Sequence, residues 1–336
     1  MANEHMETLY QALDQATSLL HKQVKTSYFE AATEAGEDLL AGTITVQDGV
    51  PDQGTVSKLT AIFDPLDLTT FTAEECRQAL QLVLVKAIQI DAIEPNKQVT
   101  PDAMAELATF IASVFLQPVP EALTVADLAV GTGNLLFAVM NQLKTALNVK
   151  VKGVGVDNDE TLLAFAGMSS QMQHQDVELL HEDALGPLAT HDAALVVSDL
   201  PVGFYPLDER AKQFATAAKS GHSYAHHLLI EQSLRALKAG GLGLFFVPST
   251  VFQSSEAEGL TAWLTASAHF QGLLNLPQSL FAKASAQKSL LILQKPGAGT
   301  KQAKQVLIGS FPELTDRDAF SKFIDSVHSW AAQNLA

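Results

Sequence analysis

The residues with the clearest capacity for chemistry lie in the segment VADLAVGTGNLL, residues 125–136. Asp127, Gly131 and Gly133 have the spacing Asp-x-x-x-Gly-x-Gly, at a point where a buried strand would turn into a helix. Glycines let the backbone approach a ligand closely, and a helix N-terminus offers unpaired N–H groups. A dinucleotide site requires a third glycine, where this chain has Leu136, and needs no acid inside the strand. The acid therefore favours a ligand with an ammonium group, and a structural turn without any ligand is the alternative.

Three more acidic residues stand at the ends of further predicted strands. The strand VKGVGVD ends on Asp157, where an acid can accept hydrogen bonds from both hydroxyls of a ribose. The strand VELLHED ends on Asp183, whose carboxylate can accept a hydrogen bond from an adenine amine. Asp199 follows a fourth strand, and Pro201 and Pro206 restrict the loop after it. Ligands bind at the carboxyl edge of parallel sheets, so these acids and the glycine turn predict a site for S-adenosylmethionine (SAM).

These segments keep the motif order of a known family. VTPDAMAELATFIASVF resembles its Thr-Pro segment, VADLAVGTGNLL its glycine loop, GVGVD its ribose-binding acid and HEDAL its adenine contact. SDLPVGFYP takes the place of the Asn/Asp-Pro-Pro-Tyr/Phe motif. Over about Val99 to Lys295, the chain resembles the adenine-amino DNA methyltransferases, including the modification subunits of type I restriction systems. The resemblance implies an α/β class I SAM-methyltransferase fold, a Rossmann-like doubly wound sheet, here with an N-terminal mainly helical domain.

The resemblance also implies roles for individual residues. Contacts to SAM are expected from Thr100, Pro101, Asp127, Ala129, Gly131, Thr132, Gly133, Asn134, Asp157, Asn158, Asp183 and Ala184. The expected catalytic residues are Asp199, Leu200 and Pro201, and the expected substrate-binding residues are Val202, Phe204, Tyr205 and Phe281.

The catalytic motif departs from the family pattern at two positions. Leu200 replaces a proline, and Val202 stands where the family has Tyr or Phe. In the family, the acid and the next backbone carbonyl accept hydrogen bonds from the target amine, and the aromatic ring stacks on a flipped base. Asp199 and the Leu200 carbonyl retain the first role, whereas loss of a stacking ring costs about 1–3 kcal/mol per base. A replacement ring from Phe204 or Tyr205 is a hypothesis.

Composition bounds the remaining function classes. A chain of 336 residues that is 47% apolar can bury a full α/β core and a second, smaller domain. Its one cysteine, Cys76, excludes an internal disulfide and any cysteine-based zinc site. The N-terminus shows no secretory leader, and no apolar run approaches the length of a membrane span. We therefore expect a soluble, cytoplasmic protein that binds neither a membrane nor a metal.

The charge of the chain argues against avid DNA binding. Lysine and arginine number 21 against 37 acidic residues, for a formal net charge of −16. Residues 1–94 hold 5 basic and 15 acidic residues (net −10), and residues 95–336 hold 16 and 22 (net −6). Phosphate contacts need clustered lysines and arginines, and the candidates are Arg210, Lys212, Lys219, Lys283 and Lys288. A solvated surface explains them equally well, and the acidic N-terminal part suits a protein partner better than nucleic acid.

Helix-breaking residues and changes of pattern along the sequence predict three parts. Residues 1–94 form the N-terminal helical domain, residues 95–296 the SAM-dependent methyltransferase domain, and residues 297–336 a strand and a helix that complete the core. The boundary is placed at Glu94–Asn96, where a proline interrupts the helical pattern. From Val125 onward, predicted strands and helices alternate as in a doubly wound sheet.

The first of these parts is predicted in more detail. Apolar spacing from Glu4 to about Leu40 indicates one long helix or a broken pair. A β-prone stretch follows over residues 42–59, and a further helix extends from Thr72 to about Ile93, opened by a Thr72/Glu75 capping box.

Several functions remain open from the sequence alone. The leading prediction is SAM-dependent methylation of an exocyclic amine, with adenine in nucleic acid as the acceptor. One alternative is a SAM-binding sensor or scaffold protein that has lost turnover, and another is a methyltransferase for a protein amide or amine. The DLPVG variant is similar to one in a group of uncharacterised bacterial adenine-methylase-like proteins, which leaves the acceptor open. A metal held by His222, His226 and His227 is the disfavoured alternative to a helix face beside the cleft.

Overall fold

The computed structural model describes residues 2–94, 99–187, 192–254 and 256–335. Most of the predicted break at Glu94–Asn96 lies outside these described residues, and the domain boundaries placed there and at residue 296 stay predictions. Within the described ranges, a group of N-terminal helices precedes one eight-stranded sheet that carries helices on both faces. The α/β class and the N-terminal mainly helical part are therefore confirmed.

The described residues of the N-terminal part form four α-helices. They are α1 (Ala2–Val24), α2 (Tyr28–Ala41), α3 (Gln53–Phe63) and α4 (Ala73–Ile90). The first two form the broken pair, because Ser27 and Glu30 make a capping box that starts a new helix. The predicted capping box of Thr72 and Glu75 at the start of α4 is confirmed.

The prediction of a β-prone stretch over residues 42–59 is wrong from Gln53 onward. The Asp52 side chain accepts a hydrogen bond from the Thr55 backbone N–H at 2.7 Å and thereby starts α3. Before that point the only β pairing among the described residues of the stretch is an isolated bridge between Gln47 and Val50. A good N-cap outweighs the weak β propensity of the residues after it.

The sheet places the predicted acids at one edge. Its strands are β1 (Ala122–Asp127), β2 (Lys150–Asp157), β3 (Val177–His181), β4 (Ala193–Asp199), β5 (Leu237–Pro248), β6 (His269–Asn275), β7 (Lys288–Gln294) and β8 (Leu307–Ser310). Their order is β3-β2-β1-β4-β5-β7-β6-β8, in which β1 to β5 are parallel and β7 is antiparallel to both neighbours. Asp127, Asp157 and Asp199 are the last residues of three parallel strands, so their side chains start from the same edge.

Helices cover both faces of this sheet. They are α5 (Asp102–Phe115), α6 (Asn134–Leu147), α7 (Glu160–Met172), α8 (Asp208–Ala211), α9 (Ala225–Ala236), α10 (Ala257–Ser267) and α11 (Arg317–Asn334). Consecutive residues of β4 alternate between two apolar clusters, with Leu195 and Val197 in one and Val196 in the other. A strand buried on both faces reads as a continuous apolar run, as the sequence of β4 does. Among the described residues, no helix combines the length and apolarity that a membrane crossing requires.

The N-terminal helices share their apolar core with α7. Their buried cluster includes Leu162, Phe165 and Met168 of that helix, and the rings of Phe29 and Phe165 lie 5.3 Å apart. At Gly36 of α2, a Cβ atom would overlap the Met168 side chain. The Met168 side chain therefore lies directly against the backbone of Gly36, and the N-terminal helices pack directly on a helix of the sheet.

Candidate active site

A cavity of about 610 Å³ opens at the carboxyl edge of the sheet. Predicted residues that line it together are Thr100, Asp127, Ala129, Gly131, Thr132, Asn134, Asp157, Asn158, Asp183, Ala184, Asp199, Leu200, Pro201, Phe204 and Tyr205. Four predicted residues, Pro101, Gly133, Val202 and Phe281, are not among the residues that line it. Of these, Pro101 and Gly133 precede helices α5 and α6, while Phe281 packs against the core. Most of the predicted site thus surrounds one volume.

The glycine loop between β1 and α6 bends where the sequence predicts. Gly131 and Gly133 have φ angles of +52° and +79°, which side chains other than glycine rarely adopt. A Cβ atom at Gly131 would meet nothing closer than 4.0 Å, whereas one at Gly133 would overlap the Phe137 ring. The lack of a side chain at Gly131 therefore leaves room beside the cavity. At Gly133 it leaves room for the Phe137 ring of α6.

Asp157 is tied to the glycine loop. One carboxylate oxygen accepts a hydrogen bond from the Gly131 N–H at 2.7 Å, and the other accepts one from the Asp159 N–H at 3.0 Å. Burial raises the pKa of Asp157. Each carboxylate oxygen retains a second lone pair, so both could still accept a hydrogen bond from a ligand hydroxyl.

Asp127 is the deepest acid in the cavity. It is fully buried and accepts a hydrogen bond from the Ala129 N–H at 3.0 Å. Burial, with smaller contributions from the neighbouring carboxylates of Asp157 and Asp199, raises the pKa of Asp127 to about 7. A cation beside such a carboxyl group stabilises its ionised form.

Asp183 already has protein partners. Its carboxylate accepts hydrogen bonds from the Tyr205 hydroxyl, the Arg210 guanidinium and, at 3.0 Å, the Leu185 N–H. Burial and the Asp183 carboxylate together raise the pKa of Tyr205 to about 12. Its hydroxyl is held in this way and only 8% of its surface is exposed, so the Tyr205 ring offers little surface on which a base could stack.

Asp199 is held from two sides at the catalytic motif. One oxygen accepts a hydrogen bond from the Thr100 hydroxyl at 3.0 Å, and the other is paired with the Lys288 ammonium group. Lys288, a candidate phosphate contact on the basis of the sequence, is therefore engaged with Asp199, a pairing that was not predicted. The predicted final hairpin could have indicated this pairing. A strand that runs antiparallel to β5 begins at the carboxyl edge of the sheet, and Lys288, the first residue of β7, lies opposite Pro248.

The loop after Asp199 presents one exposed aromatic ring. Phe204 lines the cavity, is 59% exposed, and stacks on Tyr224 with ring centroids 4.8 Å apart and planes 20° apart. Val202, at the family's aromatic position, is 41% exposed. Gly203 between them has a φ of +149°, a conformation that favours glycine and turns the chain towards Tyr224. Of the two rings proposed as replacements, Phe204 is the one whose face is accessible.

The cavity is strongly acidic. Seven acidic residues line it, against a single lysine among the described residues; they are Asp127, Asp157, Asp159, Glu160, Glu182, Asp183 and Asp199. The lysine, Lys288, is paired with Asp199. Such a lining attracts cations and repels phosphates.

Three other basic candidates are also paired with acids. Arg210 pairs with Asp183, and Lys212 pairs with Glu209. Lys219 lies 3.9 Å from Glu258 on the exposed surface. These pairs reduce the positive potential that a nucleic-acid backbone would require.

The histidines on α9 are buried rather than poised for metal binding. Burial lowers the pKa of His226 to about 3 and that of His227 to about 4, so both rings are neutral at pH 7. Among the described residues, no group of three or more His, Cys, Asp or Glu side chains is placed to hold a metal ion.

Comparisons with known proteins match both parts of the chain. A family model described as the YtxK N-terminal helical domain matches residues 7–88, and one described as N-6 DNA methylase matches residues 94–322. The uncharacterised protein YtxK of Bacillus subtilis is 36% identical over 332 residues, which cover 98% of each chain.

Solved structures agree with the family models. The crystal structure of a putative class I SAM-dependent methyltransferase from Listeria monocytogenes is 35% identical, with a TM-score of 0.91, over 98% of this chain and 99% of that chain. A type I restriction-modification methyltransferase subunit from Streptococcus thermophilus has a TM-score of 0.69 at 17% identity, over 96% of this chain and 74% of that one. The second likeness concerns the fold alone, and together they confirm the fold expected from the sequence.

Proposed function

The chain belongs to the N-6 DNA methylase family, and from this premise we propose that it transfers a methyl group from SAM to the exocyclic amine of adenine in nucleic acid. One observation carries the proposal: the acids expected to bind the cofactor and the motif expected to bind the acceptor line the same cavity. A reaction between two ligands requires both binding regions in one volume, with the reacting atoms close together.

The lining of the cavity fits SAM better than a phosphate-bearing cofactor. SAM carries a sulfonium, an ammonium and a carboxylate group and is positively charged overall, which matches the seven acidic residues. We place its ammonium group near Asp127, its ribose near Asp157, and its carboxylate towards the first N–H groups of α6, where the helix dipole favours an anion. The space beside Gly131 allows the ligand to lie against the backbone.

Asp183 calls for a different role from the one the sequence predicts. Its Oδ2 atom holds both Tyr205 and Arg210, so the adenine amine of SAM would have to donate to Oδ1, which already accepts the Leu185 N–H. We propose that Asp183 acts chiefly by fixing the loop that carries Tyr205, and that any contact with the cofactor is shared with it.

The residues of the catalytic motif would orient the acceptor. When bound, SAM supplies an electrophilic methyl group on sulfur. Asp199 and the Leu200 carbonyl would accept hydrogen bonds from the acceptor amine and direct its lone pair at that methyl group. In the transfer the C–S bond breaks as the N–C bond forms, and sulfur keeps the electron pair. The amine nitrogen then gives up one proton, which the Asp199 carboxylate can accept.

A second candidate function rests on a specific observation at Asp199. Both oxygens of its carboxylate are engaged by the protein itself, one by Thr100 and the other by Lys288. A protein that binds SAM as a sensor, without turnover, could keep such a closed arrangement. The paired basic residues around the cavity also weaken the case for a nucleic-acid acceptor and leave a protein amide or amine as an acceptor to test.

The deciding experiment measures transfer of tritiated methyl groups to single-stranded DNA, RNA and lysate protein in parallel. We expect label in nucleic acid, lost in Asp199→Ala, while the dissociation constant for SAM measured by calorimetry changes only a few-fold. Label in protein alone would replace the proposed acceptor. SAM binding without label in any pool would favour the sensor, and no SAM binding would overturn both functions.

A further inference from the structure

A buried arginine links the N-terminal helices to the candidate site. Arg77 lies on α4, and only 2% of its surface is exposed. Its guanidinium donates hydrogen bonds to both oxygens of Glu74, at 2.9 and 2.6 Å, and to Asp102 at 2.9 Å. A buried charge requires such partners, and these two carboxylates satisfy that requirement.

The same guanidinium also donates to two uncharged side chains, which charge balance does not require: to the Gln81 oxygen at 3.3 Å, within α4, and to Asn134. Its Nη1 group donates to the Asn134 side-chain oxygen at 2.8 Å. Asn134 is the first residue of α6, directly after the glycine loop, and it lines the cavity with 7% of its surface exposed. An asparagine amide has two orientations that differ only in hydrogen bonding. Arg77 has no acceptor, so it fixes the oxygen of Asn134 towards itself and the NH₂ group away.

The NH₂ group of Asn134 continues the connection into the site. It donates to the Thr100 carbonyl at 3.0 Å, and the Thr100 hydroxyl donates to Asp199 at 3.0 Å. Arg77, Asn134, Thr100 and Asp199 thus form one continuous series of hydrogen bonds, which we call the Arg77 relay. It joins α4, the glycine loop, the segment before α5 and the catalytic motif.

We propose that Arg77 is a positioning residue of the SAM site. By orienting the Asn134 amide, it sets the distance between the glycine loop and the Thr100 segment, the two segments between which the methionine end of SAM would lie. The N-terminal helices then contribute to the cofactor site by holding Asn134 in its orientation. This inference rests on the proposed function for the identity of the ligand, whereas the ordering of the two segments does not depend on it.

The test compares two changes of Arg77 with a matched control on the same helix. Arg77→Met keeps most of the aliphatic volume and removes every donor, and Arg77→Lys keeps the charge but lacks the fork needed to reach Glu74, Asp102 and Asn134 at once. The control is Lys86→Met, which removes an ammonium group whose bonds to Asp14, at 2.6 and 2.8 Å, stay within the N-terminal helices.

Two measurements are made on each folded variant. Calorimetry gives the dissociation constant for SAM, and hydrogen–deuterium exchange of the ligand-free protein reports on residues 99–104 and 128–137. We expect Arg77→Met to raise the dissociation constant about five-fold or more and to speed exchange in both segments. Lys86→Met should change neither, although both variants lower Tm.

The outcomes separate this inference from the proposed function. An Arg77→Met protein that folds, binds SAM as the wild type does and exchanges at the same rate overturns the inference alone. If that variant does not fold, Arg77→Lys decides by the same two criteria. A wild type that binds no SAM overturns the proposed function and the cofactor role of Arg77. The exchange rates of the two segments still decide in that case whether Arg77 orders them.

Discussion

At the scale of single residues, the burial of Asp127 is expected to make ligand binding depend on pH. Its carboxyl group is surrounded by protein at the end of β1, and burial raises its pKa to about 7. The neutral form therefore makes up a large part of the ligand-free protein at physiological pH. A ligand ammonium group requires the ionised form, so binding and proton release are linked.

We expect the affinity for SAM to fall as the pH drops below 7. The sign follows from the raised pKa: below it, binding must first remove the proton of Asp127, at a loss of about ten-fold in affinity per pH unit. Calorimetry at several pH values, in buffers of different ionisation enthalpy, measures both the affinity and the released proton. Asp127→Asn should weaken binding at pH 8 and abolish the pH dependence. The same slope in wild type and variant would contradict the assignment.

A second residue-scale prediction concerns Phe204, the exposed ring at the cavity. If an adenine base stacks on it, Phe204→Leu should weaken acceptor binding by about 1–3 kcal/mol while leaving SAM affinity unchanged. The KM for single-stranded DNA measures this effect. Ile308→Ala is the matched control, since Ile308 is also an exposed apolar side chain but lies on β8, at the far end of the strand order from β4. Equal effects of the two changes would argue against stacking.

The acids of the site could be predicted from the sequence, but their partners could not. Asp127, Asp157 and Asp199 follow apolar runs, and that pattern alone places them at strand ends. The partners of Asp183, by contrast, come from a loop and a short helix, where no periodicity fixes the direction of a side chain. The pairing of Lys288 with Asp199 required the register of an antiparallel strand, which depends on turn geometry.

At the scale of elements, the two glycines of the glycine loop are expected to have different roles, Gly131 in ligand binding and Gly133 in stability. Gly131→Ala adds a methyl group beside the cavity, whereas Gly133→Ala forces overlap with Phe137; both have positive φ. We expect Gly131→Ala to weaken SAM binding with a modest loss of stability, roughly 1–2 kcal/mol from backbone strain. Gly133→Ala should lower the free energy of unfolding by more. Urea unfolding and calorimetry on the same samples measure the two effects, and a reversed ranking in stability would contradict this division.

Element order was easier to predict than element packing. Strands and helices alternate from β1 onward with few competing patterns, so the doubly wound sheet and its final hairpin followed from the sequence. The sequence pattern of the N-terminal helices predicts an apolar face, but it does not predict which element packs against that face. Gly36 of α2, a residue that helix propensity disfavours, lies against Met168 of α7, a contact that the apolar pattern does not reveal.

At the scale of the whole molecule, the shared core sets the expected result of proteolysis. Because α2 ends at Ala41 and α3 begins at Gln53, the loop between them, Gly42 to Asp52, is where we expect a protease to cut. We expect cleavage there to leave both fragments associated, because the cluster around α7 holds them together. Size-exclusion chromatography of the nicked protein measures this. Separate elution of a folded N-terminal fragment would show that the helical part is independent.

The contact between α2 and α7 also affects the order in which the chain is made. The first four helices end at Ile90, but the cluster they bury is completed by residues as late as Met172. During translation at about 5–20 residues per second, the intervening stretch takes roughly 4–16 s to synthesise. Throughout that interval the N-terminal helices leave the ribosome with an apolar face uncovered. We therefore expect the nascent chain to expose an apolar surface that chaperones could bind until α7 emerges.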